Sequence, residues 1–97
     1  MKNQMPPTHP GEILREELES RGLSVHAIAM ALRVPASRMA EITAGRRAVT
    51  ADTALRLARA LGMSAEFWLN LQSAYDLRVA ERAQGRAVER EVARIAV

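Results

Sequence analysis

Apolar residues recur along this chain three and four positions apart, and each recurrence stops at a glycine or a proline. Ile13, Leu14 and Leu18 form one such set, in PGEILREELESR, and Gly22 closes it. Ile28, Ala29 and Leu32 form a second, behind Ser24 as a helix cap. Val34-Pro35 separates it from Met39 and Ile42, the inner positions of a short third helix ending at Ala44-Gly45. Thr50 is the expected cap of a fourth helix, with Asp52 favourable in its first turn. Ala54, Leu57, Ala58 and Leu61 form its inward stripe, and Gly62 closes it. Ser64 caps a fifth and longer helix, SAEFWLNLQSAYDLRVAERAQ, whose apolar residues spread over more than one face. Gly85 is expected to interrupt it. Beyond Gly85, Val88, Val92 and Ile95 keep helical spacing, in a segment that packs as a last short helix on a partner, frays or extends. The pattern contains no alternating strand signal and predicts an all-α domain.

Residues 1–8 carry Pro6-Pro7 and no apolar period, which predicts a flexible tail. The organisation expected is a tail over 1–8, a helical domain over 9–80 and a C-terminal extension over 81–97 at a dimer interface. The first helix starts near Pro10, with Thr8 or His9 as its cap, and Glu12, Glu16, Glu17 and Glu19 make its outer face acidic. That face is either simply solvated or a dock for a basic partner.

Composition narrows the function by exclusion. The 97 residues suit one small domain, and 48% apolar content suffices for a core. No cysteine is present, so disulfides and thiolate metal sites are excluded, and two histidines, His9 and His26, are too few for a histidine cage. No nucleophile–histidine pair, glycine-rich phosphate loop or metal constellation supports an enzyme, and no cofactor is expected. MKNQMPPTHP lacks the apolar middle of a signal peptide. No apolar run approaches the roughly 20 residues of a membrane span. The expectation is a cytoplasmic protein.

Charge placement is more informative than the net +3. Residues 33–59 hold six arginines against two carboxylates, Glu41 and Asp52, whereas residues 63–97 are balanced. Such an excess either meets a phosphate backbone or is a solvated surface. The helix pair within it offers a concrete partner. The third helix leaves Ala36, Ser37, Arg38 and Glu41 outside, a short polar face suited to a DNA major groove. Arg38 has the fork to hydrogen-bond a guanine edge, and Ser37 reaches a base or a phosphate. Glu41 either accepts from a cytosine amino group or orients Arg38 one turn away. Arg46 and Arg47 either clamp the DNA backbone or answer the helix C-terminus. In the turn, Arg33 stands where many helix-turn-helix motifs have glycine. Either the backbone there is left-handed, at a cost of roughly 1 kcal/mol that an arginine meeting a phosphate would partly recover, or the turn is slightly different.

The stretches HPGEIL (9–14), VPASRMAEITAGRRAVTADTALRLARALG (34–62) and AEFWLNLQSAYDL (65–77) resemble HigA-type antitoxins of the Xre-like (lambda-repressor-like) helix-turn-helix superfamily. The resemblance covers roughly residues 9–80. It implies a five-helix lambda-repressor-like domain with a longer C-terminal helix. It also implies a type II toxin–antitoxin module: a dimer on double-stranded operator DNA that represses its own operon and neutralises an mRNA-cleaving toxin of RelE-like fold. By position, base contact falls on Ser37, Arg38 and Glu41, and phosphate contact on Ser24, Arg46 and Arg47; Arg33, where the family often has glycine, joins the phosphate set only through the reading of the turn above. Trp68, Leu71, Tyr75 and Val79, on the doubly apolar fifth helix, are the expected homodimer surface; otherwise the aromatic residues there are the core of a monomer. The competing reading is a stand-alone helix-turn-helix repressor without a toxin.

Overall fold

Four of the five helices begin on a side chain that caps them. In a computed structural model, which describes residues 6–96, the helices are α1 (Pro10–Ser20), α2 (Val25–Leu32), α3 (Ala36–Thr43), α4 (Ala51–Leu61) and α5 (Ala65–Glu91). His9, Ser24, Thr50 and Ser64 each accept a backbone N–H from the first turn of α1, α2, α4 and α5, respectively. These bonds satisfy donors that a helix start otherwise leaves without partners. Pro35 precedes α3 with its φ already suitable and adds no side-chain cap. Gly22 and Gly62 take left-handed φ angles of 67° and 86°, which lets the chain reverse after α1 and α4. Of the tail expected over 1–8, residues 1–5 lie outside the described residues, and residues 6–8 have no regular structure.

The inward stripes meet in one core of Leu14, Leu18, Ile28, Ala29, Leu32, Met39, Ile42, Val49, Ala54, Leu57, Leu61 and Trp68. Burial of each large side chain among them contributes about 1.5–3 kcal/mol. Helix α2 packs on α3 and α4, α4 on α5, and α1 bridges α3 and α5. The start of α1 is pressed onto the end of α3: a Cβ on Gly11 would sit 1.8 Å from the Ile42 carbonyl oxygen. Only glycine permits that approach.

Three arginines finish the helix ends. Arg15 donates to the carbonyl of Thr43 (3.1 Å), Arg21 to that of Leu61 (2.8 Å) and Arg56 to that of Leu32 (2.9 Å). Each guanidinium meets the negative end of a different helix, α3, α4 or α2, where carbonyls lack intrahelical partners. The loop after α3 is pinned by buried Gln72. Its Oε1 accepts the Val49 N–H (2.8 Å), and its Nε2 donates to Asp76 (2.9 Å).

Helix α5 corrects two expectations. It does not stop at Gly85 but runs unbroken to Glu91, so residues 81–91 continue the domain's last helix. A mid-helix glycine costs only about 1 kcal/mol, and the neighbouring Ala, Arg, Gln and Glu residues favour the helix. The chain leaves the helix at Val92, so Val92 and Ile95 do not extend it. Trp68 is the second correction: it is 0% exposed inside the protomer's own core and cannot line a subunit interface. It packs edge-on against Phe67, and its Nε1 has no hydrogen-bond partner among the described residues. Leu71 is half-buried against the same core, half-buried Tyr75 packs edge-on against His9, and Val79 is exposed. An amphipathic pattern shows two apolar sides; it does not show which side carries the large aromatic into the core.

Candidate nucleic-acid interface

The turn between α2 and α3 is made by a residue with the wrong chirality for it. Arg33 has φ 60° and ψ 45°, left-handed, and ends α2 with its N–H bonded to the Met30 carbonyl (3.2 Å). The Val34 N–H reaches the Ala29 carbonyl (3.1 Å). The turn therefore has the geometry that glycine adopts freely, and an L-residue pays about 1 kcal/mol to hold it. The Arg33 side chain is exposed beside the start of α3.

With that turn set, Met39 and Ile42 of α3 are wholly buried, and the opposite side carries Ser37, Arg38 and Glu41. Ser37 is exposed in the first turn, where N–H groups have no intrahelical acceptor. Arg38 is half-buried, and its Nη1 donates to Asp52 Oδ2 at 2.9 Å. Glu41 receives the Arg47 guanidinium, Nε at 2.7 Å and Nη2 at 2.6 Å. The alternative in which Glu41 orients Arg38 is thereby corrected: Arg38 turns to α4, and Glu41 turns to the loop after α3.

Arg38, Arg47, Ala48, Thr50, Asp52 and Thr53 line a shallow cleft between α3 and α4. Arg46 is exposed one residue before Arg47, and its N–H closes on the Glu41 carbonyl (2.8 Å), which fixes the loop against the end of α3. Ser24 and Arg33 flank opposite ends of α2, whose eight residues span about 12 Å. They flank the α3 face instead of joining it, and the Ser24 hydroxyl is engaged as the α2 cap (3.0 Å).

Asp52 is the functional candidate that pattern reading missed. It was legible as a first-turn acid of α4, and its spacing to Arg56 is one helical turn. Its pairing with Arg38, fourteen positions away, had no local signal. The Arg38 hydrogen bond, and next that of Arg56, holds the Asp52 carboxyl below the usual aspartate value. Among the described residues no cluster of three or more metal-binding side chains occurs, and no helix is long and apolar enough to cross a membrane.

Comparisons with known proteins agree with this fold. A helix-turn-helix domain model matches residues 11–67. Virulence-associated protein I of Dichelobacter nodosus is 60% identical over 82 residues, covering 84% of this chain and 76% of that protein. A HigA-family addiction module antidote protein from Coxiella burnetii superposes with a TM-score of 0.90 at 48% identity, covering 94% of this chain and all of that one. The antitoxin GraA, solved in complex with its operator, superposes with a TM-score of 0.91 at 47% identity, covering 100% of this chain and 99% of that one.

Proposed function

The chain belongs to the HigA-type antitoxins of the helix-turn-helix superfamily, and on that premise we propose that it represses its own operon and neutralises a cognate toxin. It is a DNA-binding regulator and not an enzyme. The observation that carries the reading is α3, buried along Met39 and Ile42 and polar along Ser37, Arg38 and Glu41. A ridge this narrow fits the major groove, with Arg38 offered to a guanine edge and Ser37 to a base or phosphate. Arg46, Arg47, Arg33 and the α2 start at Ser24 take the flanking phosphates.

The protein acts in the cytoplasm as a homodimer that sets two α3 helices about 34 Å apart, one turn of duplex, on a palindromic operator. The far half of α5 supports the dimer. Leu77 is 62% exposed and Val88 52% exposed, and both line one apolar groove. Leu71 and Tyr75 instead line a separate cleft with Pro6, Pro7 and Thr8 on another face of α5, where Val79 stands one turn on from Tyr75, and Trp68 is no part of either. The toxin is an mRNA-cleaving endonuclease of RelE-like fold encoded beside this chain.

Two experiments test this. Fluorescence anisotropy with the duplex upstream of the reading frame, against a scrambled duplex of equal composition, should show tighter binding to the former that persists at moderate salt. Equal affinity for both would remove the operator role. Co-expression should rescue growth from the neighbouring gene product, and no rescue would leave a repressor without a toxin.

A further inference from the structure

Arg38 is not free on the α3 surface. Its Nη1 is 2.9 Å from Asp52 Oδ2, while Arg56 Nε lies 3.1 Å from both Asp52 oxygens. Arg56 is itself anchored, through Nη1, to the Leu32 carbonyl at the end of α2 (2.9 Å). A continuous chain therefore runs from the α2–α4 seam through Arg56 and Asp52 to the guanidinium on the reading face. Helix packing fixes its far end, so Asp52 sets the position of Arg38 and not the reverse. The Asp52 side chain is 56% exposed and that of Arg38 29%.

Stability alone does not account for the pair. Exposed ion pairs contribute little, typically 0–1 kcal/mol. The start of α4 is already capped by Thr50. What Asp52 does change is how Arg38 meets a ligand. It occupies one of the guanidinium donors and leaves others for an incoming acceptor. It also places a carboxylate beside Arg38, so a bare phosphate approaching it meets repulsion as well as attraction. A guanine edge offers two neutral acceptors in a fixed geometry and does not suffer that repulsion in the same degree.

We propose that Asp52 is a specificity-determining positioning residue, which orients Arg38 for base readout and screens it from indiscriminate phosphate binding. The proposal rests on the reading of α3 as the face that meets bases. Glu41 holds Arg47 on the same surface, so both central arginines of the interface carry a carboxylate.

The test is anisotropy titration of wild type, Asp52→Asn, Arg38→Ala and the double variant, over a range of salt, on the upstream duplex and on its scrambled counterpart. Asp52→Asn keeps the shape and removes the charge. It should tighten binding to the scrambled duplex, steepen its salt slope by about one unit, and lower the ratio of upstream to scrambled affinity about five- to tenfold. Asp52→Glu should recover part of that ratio. In the Arg38→Ala background, Asp52→Asn should leave the ratio unchanged. A ratio that Asp52→Asn does not alter, with both affinities rising together, would reduce Asp52 to a bulk charge and overturn the proposal. So would an undiminished effect without Arg38. Wild type that fails to discriminate the two duplexes would instead refute the operator reading, and this proposal with it.

Discussion

Helix α3 has two neighbourhoods, and arginine serves each differently. At its C-terminal end, inside the bundle, Arg15 is bonded to the Thr43 carbonyl and Gly11 lies against Ile42. On its outer side, Arg38 and Arg47 are bonded to Asp52 and Glu41. A backbone carbonyl at a helix end lacks an intrahelical partner, so the first contact completes the bundle. An exposed carboxylate pair occupies only part of each guanidinium, so the second leaves donors open for a base or a phosphate. One helix thus joins a seam closed by packing to a face that keeps donors open for a partner.

Perturbing each neighbourhood should produce a different kind of loss. The largest effect is expected at the seam. Gly11→Ala drives a methyl into the Ile42 carbonyl, and the α1–α3 contact must open, which should cost about 3 kcal/mol or more of stability in chemical denaturation. The folded fraction that remains should still recognise the operator. Preserved stability would mean that the seam is softer than its geometry implies.

The turn should respond in the opposite direction. Arg33→Gly removes the left-handed strain and should raise stability by up to about 1 kcal/mol. It should also weaken DNA binding through loss of a phosphate contact. A variant that is both more stable and equally tight would remove Arg33 from the interface.

The smallest effect is a pH dependence of the seam. Burial lowers the His9 pKa from 6.5, against the opposing pull of Asp76, Glu12 and a backbone hydrogen bond at Arg47, and the ring accepts the Gly11 N–H through Nδ1 (2.9 Å) and packs on Tyr75. The unfolded chain then binds the proton more readily than the folded one. Stability from His9 is complete above pH 6.5 and is lost as pH falls from there towards the folded value. Denaturation midpoints measured across that window should decline with acid, and His9→Gln should flatten the decline.

Much of this was legible in the chain. Ser24, Thr50 and Ser64 declared three helix starts, Gly22 and Gly62 two ends, and the buried and exposed sides of α3 followed from Met39 and Ile42. What was not legible depended on contacts between distant segments. Gly11 reads as an ordinary helix-start residue until Ile42 is brought against it. Asp52 reads as a favourable first-turn acid until Arg38 reaches it from another helix. Trp68 shares a helix with two apolar sides, and only packing decides which side is core. Gly85 reads as a break because local propensity cannot weigh one glycine against a helix already propagating from a docked start.

The most direct measurement of the central claim is the affinity of Arg38→Ala for the upstream duplex, paired with its denaturation midpoint. The outer face of α3, if it reads bases, should lose about 1–3 kcal/mol of binding and relax preference at one position per half-site, with stability changed by less than about 1 kcal/mol. Undiminished affinity and unaltered base preference in a folded Arg38→Ala protein would contradict the account.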